Sequence, residues 1–176
     1  MEVVVRPWAE DDAPAMERAV AESREHLRPW MAWAAAPSPG IAWRRDWIRE
    51  QHEAEAAGGD RLRGAFLADG TLVGAGGLHA RLGPGALEIG YWVHVSWTRR
   101  GVATAVVGAL SAEAFSDPGI ERVEIHHDVA NAASGAVARS AGYTLVGDRA
   151  RAPVAPADTE RERVWRLTRD QYRKRI

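Results

Sequence analysis

The chain has 176 residues, with 23 basic and 24 acidic side chains and no cysteine. This length can bury a sizeable core and predicts one domain. A formal net charge of -1 excludes a general attraction to nucleic acid or to an anionic membrane, and the lack of cysteine excludes disulfides and thiolate metal ligands. Because no apolar run has the length of a membrane span and the N-terminus has no signal-peptide pattern, we expect a soluble, cytoplasmic protein.

Hydrophobic periodicity divides the chain into alternating strands and helices. In chain order the predicted elements are a strand over residues 2–8, helices over 10–27 and 40–57, three strands within 61–95, a helix over 101–115, a strand over 121–129, a helix over 131–141, and strands over 143–149 and 161–168. This order, βααβββαβαββ, joins some strands by hairpins and others through helices. It predicts an α/β fold with a mixed, mostly antiparallel sheet of about seven strands flanked by helices.

The segment SWTRRGVATAVV, residues 96–107, places two arginines at the start of a predicted helix. The first turn of a helix leaves backbone N–H groups unpaired and carries positive dipole potential, so phosphate is its usual guest. Gly101 permits close approach to the backbone, and Thr104 adds a hydroxyl donor. Arg99 and Arg100 are unfavourable at this helix end unless an anion offsets them. The segment predicts a pyrophosphate site, and a pair of solvated surface arginines is the alternative.

Two other phosphate-binding motifs are excluded. The chain has no G-K-[ST] sequence and therefore no P-loop. The segment GAGGLH, residues 74–79, lacks the third glycine of a dinucleotide-binding loop and continues as a strand. It predicts a bulge or close packing instead.

Two neighbouring segments resemble the GNAT superfamily of N-acetyltransferases. They are LEIGYWVHVSWTRRGVATAVVGAL at residues 87–110 and ERVEIHHDVANAASGAVARSAGY at 121–143. The acyl-CoA signature of the superfamily, Q/R-x-x-G-x-G/A, is matched by T-R-R-G-V-A at 98–103, where threonine stands in the first position. The placement of this signature after the E-I-G-Y-W strand and before N-x-x-S makes the match specific.

Further segments resemble the RimJ/RimL-type branch, whose members acetylate the N-termini of ribosomal proteins. These are SREHLRPWMAWA at residues 23–34, N-A-A-S at 131–134 and S-A-G-Y at 140–143. The resemblance extends over nearly the whole chain and is strongest over residues 86–147. It implies a single N-acetyltransferase domain over residues 1–176.

The resemblance implies a sheet whose fourth and fifth strands splay apart, with acetyl-CoA entering the gap as co-substrate and no metal. Main-chain groups after the splay would pair with the pantetheine arm, and backbone amides at the next helix would hold the pyrophosphate. The residues implied for the arm are Trp92, Val93, His94, Val95 and Asn131. The residues implied for the pyrophosphate are Arg99, Arg100, Gly101, Val102, Ala103 and Thr104.

The implied reaction is direct attack of an amine on the acetyl thioester, which needs a neutral amine and a proton for the departing thiolate. An α-amine has a pKa of about 8, against about 10.4 for a lysine side chain, so an N-terminal amine needs only mild help from a base. Glu88 on the splaying strand is the first candidate for base or amine anchor, with a solvated strand glutamate as the alternative. Glu160, near the last hairpin, is the second candidate.

Ser134 stands at the serine of N-x-x-S, and the resemblance implies that it protonates the thiolate; a helix-capping serine is the alternative. An aromatic rim suits a peptide or an amphipathic amine, and the tryptophans predicted for the acceptor wall are Trp30, Trp33 and Trp92. His126 and His127 are adjacent on a strand and point to opposite faces, so a shared metal is not expected.

The sequence therefore predicts an acetyl-CoA-dependent N-acetyltransferase that acts on a primary amine, with a peptide N-terminal α-amine as the preferred acceptor. Three alternatives stay open: a small-molecule amine such as an antibiotic as acceptor, an acyl-CoA-binding sensor without catalysis, and an interaction module that uses the tryptophan-rich N-terminal half. The sequence does not decide whether the chain acts alone or as a homodimer.

Overall fold

The computed structural model describes residues 2–175 and contains one mixed sheet. Its strands are β1 (Val4–Pro7), β2 (Arg61–Phe66), β3 (Leu72–His79), β4 (Ala86–Val93), β5 (Arg122–Asp128), β6 (Thr144–Ala150) and β7 (Arg161–Thr168). Their order across the sheet is β1-β2-β3-β4-β5-β7-β6. Neighbouring strands are antiparallel except for β4 and β5, which are parallel. The predicted α/β class and the mixed, mostly antiparallel sheet are confirmed.

Helices cover both faces of the sheet. They are α1 (Ala13–Leu27), α2 (Ile41–Ala56), α3 (Val102–Ser116), α4 (Ala132–Ser140) and the short α5 (Arg169–Arg173). The predicted order βααβββαβαββ is confirmed, and α5 is an addition that the sequence pattern did not predict. Among the described residues, no helix is both long and apolar enough to cross a membrane.

The apolar spacing of α1 explains how this helix docks. Met16, Val20, Ser23 and Leu27 recur at helical spacing, and all four are buried. Part of this face joins a core cluster with Phe66 and neighbouring strand residues. A larger cluster lies around α3, which packs against β3 and β4. The sheet is therefore a middle layer between two apolar cores.

The glycines of β3 allow the helix α3 and the neighbouring strand β4 to lie close to the backbone of β3. A Cβ on Gly76 would lie 2.8 Å from side-chain atoms of both Val106 and Leu110 on α3. A Cβ on Gly74 would lie 2.5 Å from the carbonyl oxygen of Trp92. Real Cβ atoms do not approach so closely, so these positions need glycine. The GAGGLH segment is confirmed as a close-packing segment.

The sheet splits between β4 and β5. These strands pair only through Ala86 with Arg122, Leu87 with Val123, and Glu88 with Glu124. Beyond Glu88 the two strands have no mutual pairing and diverge toward their carboxyl ends. The predicted splaying of the fourth and fifth strands is confirmed. Ligands of open α/β sheets bind at carboxyl ends of parallel strands, so this gap is the first place to look for a site.

Candidate active site

A cavity of about 910 Å³ occupies the gap between β4 and β5. Its wall is built from β4, the loop before α3, the first turn of α3, β5 and α4, together with the segments that follow α1 and β6. Its size is at the upper end of what small-molecule sites show, so an extended ligand and part of a second substrate fit together. The predicted site residues on its wall are Trp30, Glu88, Trp92, Val93, Arg99, Gly101, Val102, Ala103, Thr104, Asn131 and Ser134.

The backbone of β4 presents polar groups to this gap. His94 donates its N–H to the carbonyl of Val73 at 2.9 Å, so these facing residues form a hydrogen-bonded pair. Such pairs alternate with non-bonded pairs along an antiparallel ladder. The backbone of Trp92 therefore also faces β3, whereas Tyr91 and Val93 direct their N–H and C=O groups toward β5. Because pairing with β5 has ended by then, these groups are available to an extended ligand.

The backbone of the loop before α3 has the geometry of an anion cradle. Arg99 has a φ of +58° and Gly101 a φ of +81°, with Arg100 between them outside the positive region. Such alternation turns successive N–H groups to one side and makes a nest for anions. The first N–H bonded within α3 is that of Ala105, to the carbonyl of Gly101 at 3.0 Å. The amides of residues 102–104 therefore point out of the positive end of the helix.

Side chains around the cradle add charge and fix the loop. Arg99 is exposed and lines the cavity, so its charge reaches the cradle. Arg100 is exposed and does not line the cavity. Its guanidinium carbon lies 5.0 Å from the centroid of the Trp97 ring. Thr98, at the first position of the acyl-CoA signature, donates its hydroxyl to the carbonyl of Val95 at 3.2 Å. Thr98 therefore supports this loop through its side-chain hydroxyl.

A pair of hydroxyl groups faces the cavity from two elements. The side-chain oxygen of Asn131 accepts the N–H of Ser134 at 3.1 Å, which caps α4. The Ser134 hydroxyl lies 2.8 Å from the hydroxyl of Tyr91 on β4. Burial raises the pKa of Tyr91, and the hydrogen bond with Ser134 opposes this only in part, so the phenol is protonated at neutral pH. The two hydroxyls form a relay that can donate a proton into the gap.

Glu88 is an ionised carboxylate on the cavity wall. Its two oxygens accept hydrogen bonds of 2.8 and 2.6 Å from the guanidinium of Arg81. Burial alone would raise the pKa of Glu88, but the hydrogen bonds and charge of Arg81 outweigh burial and hold this pKa below its ordinary value. A carboxylate of lowered pKa suits the binding of a cationic amine better than the removal of its proton.

His126 on β5 stands among three carboxylates. Its Nδ1 lies 3.6 Å from an oxygen of Glu88 and 3.8 Å from an oxygen of Glu162, and its Nε2 lies 2.7 Å from an oxygen of Glu124. The sheet register creates this cluster, because Glu88 faces Glu124 across the last paired step of β4 and β5, and Glu162 faces Asp128 across β5 and β7. The His126 side chain is 4% exposed and lines the cavity.

Sequence reasoning did not select Tyr91, Arg81 or the pair of Glu124 and His126 as site residues. Alternation along E-I-G-Y-W does put Tyr91 on the face opposite Glu88, toward the helix that carries Ser134. The contacts of the other residues depend on strand register across β4, β5 and β7, for which the sequence has no local signal.

Two tryptophans border the part of the cavity near α1. Trp30 and Trp92 line it, whereas Trp33 is 45% exposed, lies outside the lining and packs edge-on against Trp92 with ring centroids 6.3 Å apart. The N–H of Ala157 donates to the carbonyl of Pro29 at 2.9 Å. This bond joins the segment after α1 to the connection between β6 and β7, so both segments border the cavity in a fixed relation.

Three further predicted residues lie outside the cavity lining. Glu160 is exposed just before β7. His94 is buried and its Nε2 lies 2.9 Å from a carboxylate oxygen of Glu22, while its backbone is engaged with β3. The N–H of Val95 is taken by the hydroxyl of Ser23 at 3.0 Å. The structure therefore does not bring these three residues together with Glu88 and the cradle.

His127 occupies the other face of β5. Its Nδ1 lies 2.7 Å from the carbonyl oxygen of Asp128, and its Nε2 accepts the indole N–H of Trp165 at 2.9 Å. Burial is the main reason that the pKa of His127 is lowered, so this imidazole is neutral. His126 and His127 thus point away from each other, and within residues 2–175 no group of His, Asp and Glu has the arrangement of a metal site.

A sheet split between two parallel strands, with an anion cradle at the head of the connecting helix, is the architecture that the resemblance implied for acetyltransferases. Residues 2–144 match the acetyltransferase (GNAT) domain family, and the chain belongs to this family. The predicted family is confirmed.

Among the similar proteins, two carry the names of ribosomal acetyltransferases and one that of a self-immunity acetyltransferase. YdaF of Bacillus subtilis (strain 168), whose name assigns it to the ribosomal N-acetyltransferases, is 27% identical over 151 residues, which are 82% of this chain and 79% of that protein. The structure of RimL, a ribosomal L7/L12 α-N-protein acetyltransferase in complex with coenzyme A, matches with a TM-score of 0.84 at 23% identity and covers 96% of this chain and 95% of that chain. The microcin C7 self-immunity acetyltransferase MccE, in complex with acetyl-CoA and AMP, matches with a TM-score of 0.85 at 18% identity over 95% and 92% of the two chains.

Proposed function

We propose that this protein is an acetyl-CoA-dependent N-acetyltransferase whose acceptor is the N-terminal α-amine of a peptide or protein. The observation that carries the proposal is the continuous cavity in the β4–β5 gap. Its wall joins the anion cradle at α3 to the ionised carboxylate of Glu88. One region suits a pyrophosphate and the other suits a cationic amine. The cavity thus provides for both substrates of an acetyl transfer.

The residues of the gap fit coenzyme A. The amides of residues 101–104 would hold the pyrophosphate at the positive end of α3, with Arg99 adding its charge. The backbone groups of Tyr91 and Val93 would pair with the amides of the pantetheine arm, as an added strand does. Acetyl-CoA supplies the activated acetyl group, and the chain supplies binding, orientation and proton transfer.

The cavity wall also provides the groups that the transfer needs. Glu88 attracts the cationic acceptor amine into the cavity, and once this amine has released one proton to solvent the carboxylate holds the neutral amine beside the thioester by a hydrogen bond. The amine nitrogen forms a bond to the acetyl carbon, and the bond from that carbon to sulfur breaks with its electron pair on the sulfur. Ser134, backed by the Tyr91 hydroxyl at 2.8 Å, donates the proton to this thiolate. A serine hydroxyl alone is a much weaker acid than a phenol, so the Tyr91 contact strengthens the donor.

The α-amine is preferred as acceptor for two reasons. An α-amine with a pKa of about 8 is partly neutral at physiological pH, whereas a lysine amine is almost fully charged. YdaF and RimL carry the names of ribosomal N-acetyltransferases. We therefore place the action of this protein in the cytoplasm, on ribosomal or other protein N-termini. We also propose that residues 1–176 form a single N-acetyltransferase domain.

The test is thiol release from acetyl-CoA with a panel of acceptors. The panel contains peptides with free N-termini, the same peptides with blocked N-termini and an internal lysine, and small-molecule amines. Turnover with the free N-termini alone is the expected result. Turnover with the small amines alone would instead support a small-molecule amine acetyltransferase. The similarity to MccE, whose structure contains AMP, is the observation that favours this alternative. Binding of acetyl-CoA without turnover on any amine would favour a sensor.

A further inference from the structure

We infer that the pair of Glu124 and His126 accepts the proton that the acceptor amine loses, while Glu88 only anchors that amine. This inference rests on the proposed function, since it assigns a role within the same cavity. It names a proton acceptor different from the carboxylates that the sequence suggested.

The contacts of His126 indicate which of its ring nitrogens carries the proton. Its Nε2 lies 2.7 Å from the Glu124 carboxylate, which accepts and does not donate when ionised. Its Nδ1 lies 3.4 Å from the guanidinium nitrogen of Arg149, which only donates. These contacts assign the proton to Nε2 and leave a lone pair on Nδ1 that accepts only the long contact from the exposed Arg149, which an incoming amine has to displace. The imidazole is therefore oriented by a carboxylate on one nitrogen and can receive a proton on the other, as in catalytic triads.

The carboxylate of Glu124 lies behind the imidazole of His126. Burial alone would raise the pKa of Glu124, but hydrogen bonds from His126 and Arg166 outweigh burial and hold this pKa below its ordinary value. The Glu124 side chain is 6% exposed. An ionised carboxylate so close to Nε2 stabilises the imidazolium that forms when Nδ1 takes a proton.

Glu88 holds the acceptor amine next to the imidazole of His126. An amine bound to the Glu88 carboxylate lies beside Nδ1 of His126, because Nδ1 is 3.6 Å from a Glu88 oxygen. The groups that face His126 are Glu88 from β4, Glu124 from β5, Glu162 from β7 and Arg149 from β6. Arg149 is 59% exposed and paired with Glu162 at 2.6 Å, so its charge is offset locally.

Glu88 is not suited to accept the proton from the amine. Both Glu88 oxygens are engaged with Arg81, and the resulting ionised carboxylate is a weak base toward an amine. Imidazole is the side-chain type suited to proton transfer near neutral pH. The proton therefore moves from the amine nitrogen to Nδ1 as the carbon–nitrogen bond forms, and the electron pair of the broken carbon–sulfur bond stays on sulfur until the hydroxyl relay protonates it.

The test compares His126→Asn with wild type in the thiol-release assay, at saturating acetyl-CoA and with a free-N-terminus peptide. We expect kcat to fall by about 100-fold or more, because a general base contributes about 10² to 10⁴ in rate. The KM for the amine and the affinity for acetyl-CoA are expected to change little. Glu88→Gln is expected mainly to raise the KM for the amine and to change kcat much less.

A matched control lies on β3, where His79 faces Glu88 across the β3–β4 pairing and so tests whether the loss of any histidine near Glu88 lowers kcat. His79 also has a carboxylate at one ring nitrogen, with its Nδ1 2.5 Å from Asp60, but neither residue lines the cavity. His79→Asn is expected to keep the wild-type kcat. If His79→Asn and His126→Asn lower kcat equally, the effect is general and the inference is wrong.

The pH profile of kcat/KM gives a readout that loss of structure would not produce. Protonation of the amine substrate contributes an acid limb common to all variants. His126→Asn and the isosteric Glu124→Gln are both expected to give profiles whose shape differs from that of wild type. If wild type turns over and these profiles coincide with it, the inference is wrong while the proposed function stands. If wild type turns over no amine, the proposed function fails first.

Discussion

Replacing Gly101 with valine tests the anion cradle. Gly101 has a φ of +81°, and a Cβ built there meets no protein atom within 4 Å, so the protein itself has room for a side chain. The penalty is therefore backbone strain, about 1–2 kcal/mol for an L-residue in the left-handed region. If the loop relaxes to release this strain, the loss in affinity for acetyl-CoA is about 5- to 30-fold. If it does not relax, the valine side chain obstructs the approach of the pyrophosphate to the backbone.

We therefore expect binding of acetyl-CoA to weaken by about fivefold or more in isothermal titration calorimetry. The fold should survive, since 1–2 kcal/mol is small against a typical stability of about 5–15 kcal/mol. Gly108 on α3 provides the control, because it is exposed, has no positive φ and has open space around its Cβ. Gly108→Ala should leave the affinity unchanged and raise the stability by about 0.5–1 kcal/mol. Unchanged affinity in folded Gly101→Val would refute the placement of the cradle.

Three further predictions concern the walls of the cavity. Ser134→Ala is expected to lower kcat in the thiol-release assay, and Tyr91→Phe to lower it by a smaller factor; equal rates in wild type and both variants would remove the relay. Asn131→Ala is expected to destabilise the protein by about 1 kcal/mol in urea unfolding, because α4 loses its cap. Since the folded-state pKa of Glu88 lies below its ordinary value of 4.5, this carboxylate stabilises the fold above that pH and loses its contribution as pH falls through the folded-state value. Unfolding measured from pH 6 to pH 3 should therefore show a steeper acid loss in wild type than in Glu88→Gln.

The sequence was sufficient for the fold and for the cradle because both depend on local signals. Apolar periodicity defined the helices and strands, and the glycine after two arginines marked the start of α3. The end of pairing at Glu88 could be expected only through the family resemblance, since nothing in the strand sequences alone marks it.

The acceptor region was harder to predict because it depends on where each strand begins and how the strands pair. Glu160 and Glu162 are two positions apart and would share a face in a regular strand. However, β7 begins at Arg161, so Glu160 lies outside the strand and is exposed, whereas Glu162 is buried beside His126. The contact of His126 with Glu88 requires the parallel register of β4 and β5. Such register is set by packing of the whole sheet and not by the local residues.

The measurement that tests the central claim most directly is a crystal structure with a conjugate in which coenzyme A is joined through an acetyl linker to the N-terminal nitrogen of a short peptide. We predict that the pyrophosphate lies on the amides of residues 101–104 and that the arm pairs with the backbone of Val93. The peptide nitrogen should lie within hydrogen-bond distance of Glu88 or of Nδ1 of His126. A conjugate that binds outside the β4–β5 gap, or that directs its peptide nitrogen away from Glu88 and His126, would contradict the account.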